Sequence, residues 1–260
     1  MILEGKTVII TGVGPGLGGE TARLALRDGA DVVMAARKAD RLEAFAAELD
    51  TPDRVLAVPT DITDADSCAA LVAAAVDRFG GVDALAQVAA RDAVMGTFAD
   101  SSPDDFRACF DTNVVGSLNV VEAVRPALDE RGGGAIVLVG SQSSSLPVGP
   151  MPQIAYATSK GALQTATFHL ADELGSERIR VNLVVPTWMW GPPVEMFVDW
   201  KSSERDVPKE QIVSEITDGM SLDEVPADED VAEAIVWLCS DRARMITGQT
   251  LMVNAGELKR

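Results

Sequence analysis

The sequence predicts an α/β fold of the doubly wound kind, a single domain with seven parallel strands in one sheet and helices on both faces. Three observations predict it. Short apolar, β-branched runs alternate with longer helical patterns from one end of the chain to the other, which is the form that repeated βαβ units take in sequence. Runs such as Ala135-Ile136-Val137-Leu138-Val139 are apolar without alternation, as befits strands covered on both faces. The 260 residues are 47% apolar and 24% charged, a balance that excludes a disordered, fibrous or repeat protein.

The elements follow in order. A strand over 7–11 leads through a run of glycines into a helix over 17–27. Strands at 31–36 and 55–59 are followed by helices over 39–49 and 64–79. A fourth strand, 84–88, precedes a long helix over 103–130, and a fifth, 135–140, precedes a helix over 156–174. A sixth strand, 180–186, and a helix over 230–239 lead to the last strand, 249–253. In each helix apolar residues recur at three- and four-residue steps. One segment, 187–227, breaks this rhythm. It holds Trp188, Trp190 and Trp200, three of the four tryptophans, and then a polar, acidic stretch with weak helical periodicity. So long a connection is expected to be a substrate-covering lid, the alternatives being a subunit contact or a solvated excursion.

Charge narrows the partners. With 22 basic and 40 acidic side chains the net charge is −18, and such a surface repels phosphate backbones and anionic lipid headgroups, so neither nucleic acid nor membrane is an expected partner. Cys68, Cys109 and Cys239 have no CxxC spacing, which supports neither a disulfide framework nor a zinc site and fits a reducing compartment. The opening residues run into a strand without a charged-then-apolar leader, and no apolar stretch approaches a membrane span. A cytoplasmic protein is expected.

After the first strand comes Thr11-Gly12-Val13-Gly14-Pro15-Gly16-Leu17-Gly18-Gly19. Glycines let the backbone turn sharply and approach a diphosphate, while the next helix offers its free N–H groups and positive dipole end. Placed at the first strand-to-helix turn, the run reads as a dinucleotide-binding loop. The second strand ends Ala36-Arg37-Lys38, with no carboxylate at its tip. An acid there would bond a ribose 2′-hydroxyl, whereas an arginine holds a 2′-phosphate. NADP(H) is therefore favoured over NAD(H), the alternative being that both cations are solvated residues at a helix start.

Tyr156-Ala157-Thr158-Ser159-Lys160 puts a phenol and an ammonium one helical turn apart, and Tyr156 is the only tyrosine in the chain. A free phenol titrates near pH 10, so bringing it to neutrality needs about 4 kcal/mol of electrostatic help, which a lysine with the cationic ring of an oxidised nicotinamide could provide.

These residues resemble the short-chain dehydrogenase/reductase family over essentially the whole chain. The family pattern TGxxxGxG corresponds to Thr11, Gly12, Gly16 and Gly18, and YxxxK to Tyr156 and Lys160; Ser143 stands 13 residues before Tyr156, the family's usual separation. The resemblance implies a Rossmann fold, a dimer or tetramer, and hydride transfer between a nicotinamide and a secondary alcohol or ketone. It implies Tyr156 as general acid or base, Ser143 as donor to the reacting oxygen, Lys160 as partner of Tyr156 and of the nicotinamide ribose, and Asn113 as keeper of a helix kink and a proton-relay water. It also implies a cofactor site of Gly12, Gly14, Gly16, Leu17, Gly18, Arg37, Asp61, Ile62, Ala89 and Pro186, together with Tyr156 and Lys160, and no metal.

The chain departs from the family where an NNAG-like strand end becomes Gln87-Val88-Ala89-Ala90, and where Gly191 replaces a cofactor-bonding threonine after the sixth strand. Ser141, Ser144 and Ser145 lie close enough to Ser143 that its selection depends on spacing alone. His169 is expected to be structural or at a subunit face, the cysteines to be small core or interface hydrophobes, and the acidic run around 228–230 to be a solvated helix start. The expected activity is an NAD(P)(H)-dependent interconversion of an apolar or ring-containing alcohol and ketone. An NAD-dependent alcohol dehydrogenase and a non-catalytic dinucleotide-binding sensor or scaffold are the alternatives.

Overall fold

The computed structural model describes residues 1–147 and 151–259. Its centre is a seven-stranded sheet in the order β3-β2-β1-β4-β5-β6-β7, parallel throughout. The strands are β1 (Thr7–Thr11), β2 (Asp31–Ala36), β3 (Val55–Pro59), β4 (Ala84–Gln87), β5 (Gly134–Val139), β6 (Ile179–Pro186) and β7 (Thr250–Val253). The absence of alternation in their sequences follows from two cores. Val8, Ile10, Ala84, Ala86, Val137 and Val139 point to one; Ile9, Leu85, Ile136 and Leu138 point to the other. The first core lies under α1 (Leu17–Arg27), α2 (Ala39–Glu48) and α9 (Asp228–Cys239). The second lies under α3 (Ala65–Phe79), α5 (Ser117–Glu130) and α6 (Ile154–Glu173).

The strand order reverses between β1 and β4, and the crevice outside their C-terminal ends is where a doubly wound sheet places its ligand. There the Thr11 hydroxyl donates to Gln87 Oε1 at 2.7 Å and accepts the Ala89 amide at 3.2 Å. Gln87 Nε2 reaches Ser117 Oγ at 3.2 Å. The glutamine that replaces the family's first asparagine thus bridges the glycine-loop strand to the helix layer behind it.

Two expectations are corrected. The helix over 103–130 is three pieces: α4 (Pro103–Phe110), a π-helical turn (Asp111–Gly116) and α5. Apolar spacing is nearly the same through a wide turn, so periodicity could not register the extra residue. The segment 187–227 is more ordered than its weak periodicity suggested, since it contains α7 (Pro192–Arg205) and α8 (Lys209–Thr217). Their shared core of Val194, Val198 and Ile212 with Trp188 and Phe197 is too small to imprint a long apolar stripe. Cys68, Cys109 and Cys239 are buried and unpaired.

Candidate active site

The glycine loop is shaped by contact and by backbone geometry. Gly12 has φ 73°, and a Cβ placed on it would lie 2.6 Å from the Ala89 backbone; Gly16 has φ 104°. Both are conformations that a side chain resists. A Cβ on Gly18 would meet the Gly12 carbonyl oxygen at 2.3 Å, whereas one on Gly14 would meet nothing within 4 Å. Gly16 caps α1 with no side chain on the first-turn amides. An open backbone cradle that ends on uncapped N–H groups fits the diphosphate of a dinucleotide.

Around the crevice, Arg37 and Lys38 are exposed at the tip of β2 and form no ion pair among the described residues. Asp61 follows β3; Thr63 Oγ1 and N donate to its carboxylate at 2.7 and 3.0 Å. Those bonds, with a smaller contribution from the nearby Arg37 charge, hold it below the usual carboxylate range. Ile62 is buried against Gly116 of the π turn. Leu17 and Pro186 are buried at the start of α1 and the end of β6.

Asn113 sits buried in the π turn. Its amide accepts from Arg91 N at 2.7 Å and donates to Arg91 O at 3.1 Å and Ser159 Oγ at 2.9 Å. The loop after β4 is thereby tied to α6 one position before Lys160. Lys160 is buried, with Nζ donating to Val139 O at 2.7 Å and lying 5.6 Å from the centre of the Tyr156 ring. Burial lowers its pKa to about 8, with Asp92 opposing.

The Tyr156 ring packs with Val94, Cys109, Ala155 and Phe106. Burial, and then Asp92, push its phenol well above the usual value, and the nearby Ser141 hydroxyl pulls the other way. Ser141, 15 positions upstream, is thus near enough to act on the phenol, and Ser143, which the 13-residue spacing selects, stands beside it. The Oγ atoms of Ser141 and Ser143 are 2.9 Å apart. The cause is a turn over Gln142–Ser144, which folds Ser143 back on Ser141 while Gln142 is anchored to Asn254. Asp92 was missed by the sequence reading, because no motif marks a residue that acts only through its charge.

A cavity of about 370 Å³ is lined by Leu146, Pro147, Trp188, Phe197 and Ile212 among others. None of the predicted catalytic residues lines it. Trp188 and Phe197 are paired with ring centroids 5.2 Å apart. His169 is exposed on α6. Among the described residues no helix is long and apolar enough to cross a membrane.

A parallel doubly wound sheet with a glycine cradle at its switch point and a buried Lys160 one helical turn from Tyr156 fits the class of dinucleotide-linked oxidoreductases. The chain belongs to the short-chain dehydrogenase/reductase family, whose members use NAD(P). The profile of a branch described as enoyl-(acyl carrier protein) reductase matches residues 12–257. Oxidoreductase UcpA of Escherichia coli (strain K12) is 31% identical over 255 residues, covering 98% of this chain and 95% of that protein. Dehydrogenase/reductase SDR family member 4 of Homo sapiens is 32% identical over 256 residues, 98% of this chain and 88% of its own length. The crystal structure of levodione reductase superposes with a TM-score of 0.88 at 25% identity, over 98% of each chain.

Proposed function

We propose that this chain interconverts a secondary alcohol and a ketone on an apolar or ring-containing small molecule, with NADP(H) favoured over NAD(H). The observation that carries the reading is the buried Lys160 ammonium 5.6 Å from the Tyr156 ring, one helical turn on, with the paired Ser141 and Ser143 hydroxyls on the turn after β5. When bound, the nicotinamide supplies or accepts the hydride. Tyr156 gives the phenolic proton to the substrate oxygen in reduction and takes it back in oxidation. Its raised pKa keeps that proton in place at neutral pH, which suits the reductive direction. Ser141 and Ser143 hold the substrate oxygen as a pair and stabilise charge that develops on it. Asn113 keeps the π turn and the loop carrying Asp92 in register with α6.

Gly12, Gly14, Gly16, Leu17 and Gly18 would hold the diphosphate, Arg37 a 2′-phosphate, and Asp61 and Ile62 the adenine. Ala89, Pro186, Tyr156 and Lys160 would border the nicotinamide end. Residues 187–227, with α7 and α8, cover the substrate side. Val115 and Phe168, 50% and 47% exposed on the π turn and α6, suit association into a dimer or tetramer in a reducing, cytoplasmic compartment. The test is a titration with NADPH and NADH followed by turnover against cyclic and open-chain ketones. Tight binding without any turnover would favour the sensor reading instead.

A further inference from the structure

The acidic run at the start of α9 is not wholly solvated. Asp228 is half-buried, and its Oδ2 lies 3.4 Å from where a Cβ on Gly16 would sit and 2.7 Å from where one on Gly191 would sit. One carboxylate is thus held between the glycine that caps α1 and the glycine that precedes α7. Backbone contacts fix the arrangement. Trp190 N donates to Pro226 O at 2.7 Å, Trp190 and Ala227 form a parallel bridge, and the Asp230 carboxylate accepts from Ala227 N at 2.8 Å. Any side chain at position 191 would collide with Asp228 as it now stands. Gly191 and Asp228 therefore fit as a pair, the acid filling the volume that a side chain at 191 would take.

Asp228 has no hydrogen bond or ion pair among the described residues. The charged groups on the surrounding elements are Glu20, Arg23 and Arg27 on α1, Glu229, Asp230 and Glu233 on α9, and on α7 Glu195 in the first turn, with Asp199, Lys201, Glu204 and Arg205 further along, where Lys201 pairs with Glu204, Arg205 with Glu215 and Asp199 with Lys209. Arg23 lies against Glu20 and Glu48, and Arg27 against Asp28 and Glu233. Burial, with Glu20 adding to it, raises the Asp228 carboxyl above its usual value, and no cation offsets them. An anion here faces the place where a helix N-terminus would receive a diphosphate.

We propose that Asp228 is a cofactor-positioning residue that couples dinucleotide binding to proton uptake. The diphosphate enters the loop with Asp228 protonated, and the neutral acid donates a hydrogen bond where its anion would repel. This rests on the dinucleotide reading given above. The proton comes from solvent, and binding weakens as pH rises between the pKa of Asp228 in the free chain and its higher pKa in the complex.

The experiment is titration calorimetry of the full chain with NADP⁺ and with NAD⁺ from pH 5.5 to 8.5, in buffers of differing ionisation enthalpy. Wild type is compared with Asp228→Asn, since a 2′-phosphate itself titrates near pH 6 and the comparison cancels it. Relative to the variant, wild type should lose up to about tenfold in affinity per pH unit within that window and take up protons on binding. Glu20→Gln should shift the window to lower pH, which keeps the test alive if Asp228→Asn folds poorly. Equal pH dependence in wild type and Asp228→Asn overturns the proposal, as does weaker binding by Asp228→Asn at every pH, which would make the anion a favourable contact. Failure of wild type and both variants to bind either dinucleotide at any pH overturns the dinucleotide reading itself, and this inference with it.

Discussion

Lys160 is held at a cost to stability that can be measured. Its ammonium is buried and, among the described residues, makes one hydrogen bond, to Val139 O at 2.7 Å, although an ammonium has three donors. Burial lowers the pKa from 10.5 to about 8. At about 1.4 kcal/mol per tenfold change, that gap amounts to about 3 kcal/mol by which the charge disfavours the folded chain. The sign follows from proton counting. Between pH 8 and 10.5 the unfolded chain binds more protons at this site than the folded chain, so stability rises with pH across the window, and the full penalty is present below pH 8. Lys160→Met removes the charge at similar volume and gives up one hydrogen bond worth about 1 kcal/mol. The variant should therefore be about 2 kcal/mol more stable than wild type at pH 7, with the advantage gone by pH 10.5. Urea denaturation of both proteins at pH 7, 8, 9 and 10 checks it, the difference between them cancelling other titrating groups. A variant less stable at pH 7, or a difference that does not change with pH, would refute the argument that the charge is desolvated at a cost.

Other consequences can be checked in parallel. Tyr156→Phe should lower turnover by roughly 10²- to 10⁴-fold while dinucleotide affinity stays within a few-fold; equal losses in both would make the ring a structural element. Ser141→Ala and Ser143→Ala should each lower kcat, because their Oγ atoms are paired at 2.9 Å and hold the substrate oxygen together; a loss in neither variant would remove the serine pair from the site. Arg37→Asp should weaken NADPH binding far more than NADH binding, and a uniform loss in fluorescence titrations would remove Arg37 from the 2′-phosphate. Gly12→Ala forces a Cβ to within 2.6 Å of the Ala89 backbone at φ 73°. It should cost at least about 2 kcal/mol of stability, seen as a lowered Tm, together with dinucleotide binding.

What was legible in the sequence was whatever repeats along it. All seven strands and their flanking helices announced themselves, because burial on both faces leaves continuous apolar runs and one-sided burial leaves a helical stripe. The π turn at Asp111–Gly116 hid inside a continuous stripe, and α7 and α8 hid because their core is only a few side chains. The site divided in the same way. The glycines and the Tyr156–Lys160 pair are local in sequence and could be read directly. The pairing of Ser141 with Ser143 could not, since only the fold decides which of several clustered hydroxyls meet. Spacing counts residues, whereas the turn at Gln142–Ser144 brings Ser143 back onto Ser141.

Electrostatics was the least legible level. Arg37 and Lys38 were visible as cations in an acidic chain, but the charges that act on the reacting groups come from elements remote in sequence. Asp92 follows β4 and acts on both Tyr156 and Lys160. Asp228, on α9, reaches between two glycines 212 and 37 positions away. Both acids oppose what a bound dinucleotide needs near them or tune the groups beside it, and neither belongs to a motif. A motif records which side chains touch the ligand, whereas pKa values depend on every charge within several ångströms and on how much water remains. In a chain of net charge −18, carboxylates are the charges that most often arrive at such sites by packing alone. The affinity of this cradle for an anion is accordingly set by where Asp228 and Glu20 sit as well as by its glycines.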